Sequence, residues 1–308
     1  MSVNSEGVGL HSGAEPGRKP SWLKVKLPTS AAFFSVAETI ERGGLHTICR
    51  SAHCPNRTEC WSEKTAAFLI LGDHCTRQCA FCAVAKGDPL PPSAEEPAHV
   101  AEAARSFGLA YAVVTSVTRD DLPDGGAAHF AAVIRELRRR IPAVKVEALV
   151  PDFQGDGAAL DLVLAAGPDV LNHNLEVPEA IYPRINRPRE NYRRSLGVLE
   201  RAGRAGFATK SGLMLGLGES EQDIPMTLED LRSVGCRLLT LGQYLKPGRD
   251  RAAVSRYYSP DEFGRWKTRA LALGFEAVEA GPLVRSSYHA QRMHGGPSAA
   301  GQDGPCAT

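Results

Sequence analysis

Charge of one sign is missing from this 308-residue chain: 36 Lys and Arg stand against 35 Asp and Glu, a formal charge of +1. With no global field, the molecule is not drawn as a whole onto nucleic acid or an anionic membrane, and any partner must be recognised locally. Long apolar runs are missing as well. The longest, at 66–71 and 110–114, fall far short of the ~20 residues that a membrane-spanning helix needs. No basic-then-apolar leader opens the chain, so the expectation is a cytosolic protein with neither nucleic acid nor membrane as partner. Internal sequence repeats are also lacking, although a structural unit recurs.

What is present is ordinary globular material, 43% apolar and 23% charged, enough for a buried core. Residues 1–28 and the tail 295–308 are poor in apolar side chains and are expected to be disordered. Between them, apolar runs alternate with helical periodicity. Strands at 66–71, 111–117, 144–150, 170–175, 207–217 and 238–244 each precede a helix, at 97–107, 127–140, 157–166, 192–204, 224–234 and 260–273. In the second helix Phe130, Val133, Ile134 and Leu137 share one face, leaving Arg135, Arg138 and Arg139 as a solvated face.

Apolar strands alternating with amphipathic helices indicate an α/β fold with a parallel sheet, either a curved barrel or a doubly wound sheet. In both, functional groups gather at the carboxyl ends of the strands.

Six of the eight cysteines crowd into positions 49–82. Without a secretory leader, such crowding favours metal ligation over disulfides. Directly after the first strand, Cys75, Cys79 and Cys82 follow a C-x3-C-x2-C spacing in one tight loop. Three thiolates on a four-iron cluster leave one iron without a cysteine, an open place for chemistry. Upstream, Cys49, Cys54 and Cys60 form a second compact set, C-x4-C-x5-C, so two centres are implied. The alternative is structural zinc, with His74 completing the first set and His46 or His53 the second. Cys236 reads as a small buried residue and Cys306 as a free thiol in the tail.

The first spacing, with the aromatic Phe81 before its last cysteine, resembles the radical S-adenosylmethionine superfamily. The two triads together, with CPN and EC framing the upstream set, resemble the lipoyl synthase family within it. The likeness continues in TSVTRDDLPDGGA (115–127), NHNLE (172–176), KSGLMLGLGE (210–219), LTLGQYL (239–245) and GPLVRSSYHA (281–290), and so spans roughly residues 22–290.

The resemblance implies a partial β/α barrel of six strand–helix units at 63–281. A segment at 29–62 would carry the auxiliary cysteines, and a C-terminal segment at 282–308 would return to complete their cluster. It further implies two four-iron four-sulfur clusters and S-adenosylmethionine as cofactors. Cys75, Cys79 and Cys82 would hold the cluster that cleaves the cofactor. Cys49, Cys54 and Cys60 would hold the cluster consumed as sulfur donor, with a serine of RSSY, Ser286 or Ser287, as its fourth ligand.

Adjacent side chains of an extended segment point to opposite faces, so only one of the two serines could reach the iron. Ser116, Asn172, Glu176 and Gly216 become candidate cofactor contacts. Arg184 and Arg187 follow NHNLE in a loop that departs by one residue from the commonest family pattern, and each reads as a cofactor contact, a carrier contact or a solvated loop residue. Asp120, Asp121 and Asp124 read as a helix cap or a divalent-cation site.

The implied reaction places sulfur on carbons six and eight of an octanoyl chain held on a lysine of a lipoyl carrier, such as the glycine cleavage H protein or an E2 subunit of a 2-oxoacid dehydrogenase. It would use two S-adenosylmethionine molecules per lipoyl group, an electron donor such as flavodoxin or ferredoxin, and a carrier that repairs the spent cluster.

Overall fold

The computed structural model describes residues 19–25 and 27–294; the tail, and most of the expected N-terminal disorder, lie outside them. Within 1–28 a short 3-10 turn, Ser21–Leu23, is in place and buries Leu23, so apolar packing reaches further upstream than composition suggests.

The chain opens with α1 (Ala31–Arg42), β1 (His46–Thr47), α2 (Ile48–Ser51) and α3 (Arg57–Ser62). The hydroxyl of Ser30 caps α1 by accepting from Phe33 N. Then come β2 (Ala67–Ile70) and a small parallel pair, β3 (His74–Cys75) with β4 (Ala85–Lys86).

The alternation follows as α4 (Glu96–Phe107), β5 (Tyr111–Ser116), α5 (Ala127–Arg140), β6 (Lys145–Leu149), α6 (Gly157–Ala165), β7 (Val170–Asn172), α7 (Glu190–Arg204), β8 (Ala208–Leu215), α8 (Asp223–Ser233), β9 (Leu238–Gln243), α9 (Pro260–Ala272), β10 (Ala277–Gly281) and α10 (Ala290–His294).

One eight-stranded sheet runs β1-β2-β5-β6-β7-β8-β9-β10. Only the first pair is antiparallel. The parallel strands keep chain order with no reversal, which rules out the doubly wound alternative, because that fold needs a switch in strand order. β10 does not pair with β2, so the barrel stays open.

All six expected strand–helix units form. The seventh parallel strand, β10, escaped the pattern because its residues are mostly half-buried and mixed in polarity. The apolar face of α5 stands as expected, with Phe130, Val133, Ile134 and Leu137 fully buried; of the expected solvated arginines, Arg135 and Arg139 are exposed, whereas Arg138 is half-buried and tied to Asp169 at 2.8 Å.

Inside the barrel a polar cross-tie joins four strands. Lys210 Nζ on β8 reaches both Glu147 carboxylate oxygens on β6 at 3.0 Å. Tyr111 of β5 donates its hydroxyl to the same carboxylate at 2.8 Å, and Asn172 of β7 donates Nδ2 at 2.7 Å. Fully buried charges persist only when paired and hydrogen-bonded in this way.

Candidate functional site

A cavity of about 620 Å³ opens at the carboxyl ends of the strands. Cys75, Cys79 and Cys82 lie on one part of its wall, and Cys54 of the upstream set lies on another. The two sulfur sets thus address a common space.

The downstream loop is anchored by Arg77, which lies between two of its cysteines. Its guanidinium donates to Asp120 at 2.7 and 2.9 Å and to Asp152 at 2.6 Å. Burial alone would push the Asp152 carboxyl up, but the Arg77 hydrogen bond and charge hold it down at about 2. Asp121 pairs with Arg119, and Asp124 accepts from Gly126 N and Ala128 N at the start of α5. Of the two readings of this acidic run, the cap describes Asp124, and ion pairs occupy the other two.

Upstream, Cys49 sits in α2, Cys60 in α3, and Cys54 between them, with Cys54 N donating to Cys49 O at 3.1 Å. Burial pushes the Cys49 thiol up to about 11, and Cys54 adds to it. Burial also raises the Cys60 thiol, followed by the charges of Cys49 and Cys54. Burial of all three thiols, with sulfur-to-sulfur repulsion added at Cys49 and Cys60, means that a cationic centre among them would be needed for them to become thiolates together. Among the described residues no three His, Cys, Asp or Glu side chains are arranged to hold a single metal ion.

The C-terminal segment returns over this set. Gly242 of β9 makes room, since a Cβ there would stand 2.1 Å from Val284 O. Asn56 Nδ2 donates to Leu283 O at 2.7 Å, and the Tyr288 hydroxyl donates to Glu59 at 2.7 Å, so the first turn of α3 is gripped at two points. The serines are not in an extended segment as the sequence suggested: Tyr288 N donates to Arg285 O at 2.9 Å, closing a turn with Ser286 and Ser287 at its centre. Ser286 Oγ accepts from Asn174 Nδ2 and lines the cavity. Ser287 lies outside the cavity lining and makes no hydrogen bond among the described residues.

Ser116, at the end of β5, and Glu176 both line the cavity. Glu176 holds φ 71, a left-handed conformation unusual for its residue type. Backbone bonds to β8 fix it there, Glu176 N to Gly212 O at 3.0 Å and Met214 N to Glu176 O at 2.6 Å. Gly212 is required beside it, because a Cβ would meet Asn174 Oδ1 and Thr240 Oγ1 at 2.8 Å.

Two expected contacts fall elsewhere. Asn172 gives its Nδ2 to Glu147 and stands behind the lining, with Oδ1 buried and without a partner among the described residues. Gly216 (φ 103) is packed against Gln243 and Arg256 O, while its N–H donates to Glu219 at 2.6 Å.

In their place the structure brings Asn174 and His173 to the wall. His173 Nδ1 meets Val150 O at 2.8 Å, so that nitrogen carries the proton and Nε2 is an acceptor. Ser116 Oγ, Asn174 Oδ1 and His173 Nε2 are all buried without a hydrogen-bond partner in the described chain. Each such atom costs about 1–3 kcal/mol unless a ligand satisfies it. A polar ligand rich in donors therefore fits this wall, and soft sulfur donors beside it fit iron.

Arg285 was also missed in sequence: its guanidinium, pushed down by burial and up by Cys54, lines the cavity with no carboxylate partner among the described residues. An unpaired arginine beside a thiol can be found only once the fold joins residues 54 and 285.

The Radical SAM superfamily model matches residues 69–231. The lipoyl synthase of Oleidesulfovibrio alaskensis is 53% identical over 273 residues, covering 89% of this chain and 94% of the relative. That of Chlorobaculum parvum is 51% identical over 278 residues, covering 90% and 95%. Among solved structures, Streptococcus suis SuiB bound to S-adenosylmethionine matches with a TM-score of 0.54 at 10% identity, over 80% of this chain and 62% of that one. At that identity the likeness concerns the fold alone.

Proposed function

Because the chain belongs to the lipoyl synthase family of the radical S-adenosylmethionine superfamily, we propose that it inserts sulfur at carbons six and eight of an octanoyl group carried on a lysine of a lipoyl carrier domain. It is an enzyme of a family that uses S-adenosylmethionine and a four-iron four-sulfur cluster. The single observation that carries the fuller reading is that Cys54 and the Cys75, Cys79 and Cys82 loop line one cavity. A carbon radical formed there has a sulfur source within the same enclosure, which is proximity that free sulfide could not supply.

In this reading Cys75, Cys79 and Cys82 hold the first cluster, and Cys49, Cys54 and Cys60 hold an auxiliary one. Bound together, the first cluster and S-adenosylmethionine supply a radical that removes hydrogen from an unactivated carbon, and the auxiliary cluster supplies sulfur.

The residues divide the remaining work. Arg77 fixes the first loop through Asp120 and Asp152. The carboxylate of Glu176 and the acceptors Asn174 Oδ1 and His173 Nε2 receive donors of the cofactor, and Ser116 orients its methionine end. Ser287 is the fourth ligand of the auxiliary cluster, since Ser286 is already engaged by Asn174. An alkoxide is a weaker match than thiolate for this iron, which suits a bond made to be broken. Carrier, electron donor and repair carrier are those named above for the family.

The test is anaerobic reconstitution with iron counting, expecting about eight irons per chain for two four-iron clusters. It is followed by incubation with S-adenosylmethionine, a low-potential reductant and an octanoylated carrier peptide: the peptide should gain sulfur as S-adenosylmethionine is cleaved to 5′-deoxyadenosine, whereas free octanoate should neither gain sulfur nor trigger the cleavage. About four irons, or sulfur transfer to free octanoate, would overturn it.

A further inference from the structure

The loop that departs from the family pattern is where the chain grips the downstream cysteines. Ala80 N donates to Ile185 O at 2.9 Å, Asn186 Nδ2 donates to Gln78 O at 3.0 Å, and Ala252 N donates to Ala80 O at 2.9 Å. These uncharged bonds add to the Arg77 ion pairs that already anchor the cysteine loop. Arg187 is nevertheless placed on it. Its Nε donates to Cys79 Sγ at 3.3 Å, its guanidinium carbon lies 5.5 Å from the centroid of the Phe81 ring, and it lines the cavity. Asn186, at φ 58, ends the 3-10 helix Glu179–Ile185, and Arg187 N returns to Tyr182 O at 3.0 Å, so the backbone leading to the guanidinium is fixed.

We propose that Arg187 is a positioning residue that raises the reduction potential of the iron–sulfur centre on Cys75, Cys79 and Cys82, through its N–H to the Cys79 sulfur and its fixed positive charge. A cluster held by three thiolates becomes more negative when it accepts an electron. A cation and an N–H donor at one of its sulfurs therefore favour the reduced form more than the oxidised one. Out of bulk water that preference is weakly screened. The other charge facing Arg187 is the Glu176 carboxylate, and the two influence each other, so the arginine's pull on the cluster is moderated but not cancelled. The step concerned is transfer of one electron from an external low-potential reductant to the cluster, with no bond made or broken and no proton moved. The inference rests on assigning the first cluster to those three cysteines.

The test is a potentiometric titration followed by electron paramagnetic resonance on anaerobically reconstituted full-length wild type, Arg187→Gln and Arg187→Lys. The relevant signal is identified as the one that changes shape when S-adenosylmethionine is added. Arg187→Gln should titrate at a more negative potential than wild type with the same iron content, and Arg187→Lys, which keeps the charge and loses the planar donor fork, should shift less. Coincident midpoints for Arg187→Gln and wild type would overturn the inference. So would loss of iron uptake in Arg187→Gln alongside an unshifted Arg187→Lys, which would make the arginine a structural clamp only. A wild type lacking any signal responsive to S-adenosylmethionine would instead remove the cluster assignment itself.

Discussion

Asn174, on the loop after β7, donates from Nδ2 to Ser286 Oγ at 3.3 Å across 112 residues of sequence. This bond ties the turn that overlies the upstream cysteines to the wall that carries the unsatisfied acceptors. Its other consequence is a division of labour between adjacent serines.

Ser287→Ala should therefore abolish sulfur insertion while 5′-deoxyadenosine is still released, because the first cluster and its cofactor are untouched. Ser286→Ala should keep sulfur insertion and weaken cofactor binding by about five- to tenfold, the worth of one ordinary hydrogen bond. The check is product mass and 5′-deoxyadenosine yield for the two variants side by side. The reverse pattern would transfer the ligand role to Ser286.

Glu176 is held in a left-handed conformation so that its carboxylate reaches the cavity. Glu176→Gln removes the charge and keeps the shape. A hydrogen bond to a charged group contributes about 1.5–3 kcal/mol, so equilibrium binding of S-adenosylmethionine should weaken roughly ten- to hundredfold, with iron content unchanged. Undiminished binding would take Glu176 out of the cofactor site.

Arg77→Met would leave Asp152, only 3% exposed, with Arg194 at 3.5 Å as its nearest remaining cation. Breaking such a pair costs about 3 kcal/mol or somewhat more at neutral pH. The Asp152 carboxyl is depressed to about 2 in the folded protein, below the ordinary value near 3.9. Its contribution to stability is therefore complete above about pH 4 and fades as pH falls through about 2. The gap between wild type and variant in chemical denaturation should be full at pH 7 and shrink over that acid window. A constant gap would mean that Arg77 acts through packing alone.

The barrel was legible because strands buried on both faces read as unbroken apolar runs. β9 is buried at every position. The same rule overran at the strand ends. The run 170–175 continues three residues past β7, where His173 lines the cavity and Leu175 packs into the core outside the strand, and periodicity cannot tell those situations apart. The cysteine sets were legible because each is local. Arg285 beside Cys54 and Asn174 against Ser286 were not, because each relation exists only after the C-terminal segment has crossed β9 at Gly242. Asn172 misled for a related reason: an asparagine at a strand end reads as a ligand contact, and only the fold shows that its amide belongs to the Glu147 and Lys210 tie.

The central claim is that one sulfur-held centre starts the reaction and the other is used up in it. The direct test is to rebuild the auxiliary cluster with heavy-isotope sulfide, remove free sulfide, and run a single turnover on an octanoylated carrier peptide. The account predicts that both sulfur atoms of the product are heavy and that about four of roughly eight irons are released from the protein. Product carrying light sulfur, or full retention of iron after turnover, would contradict it.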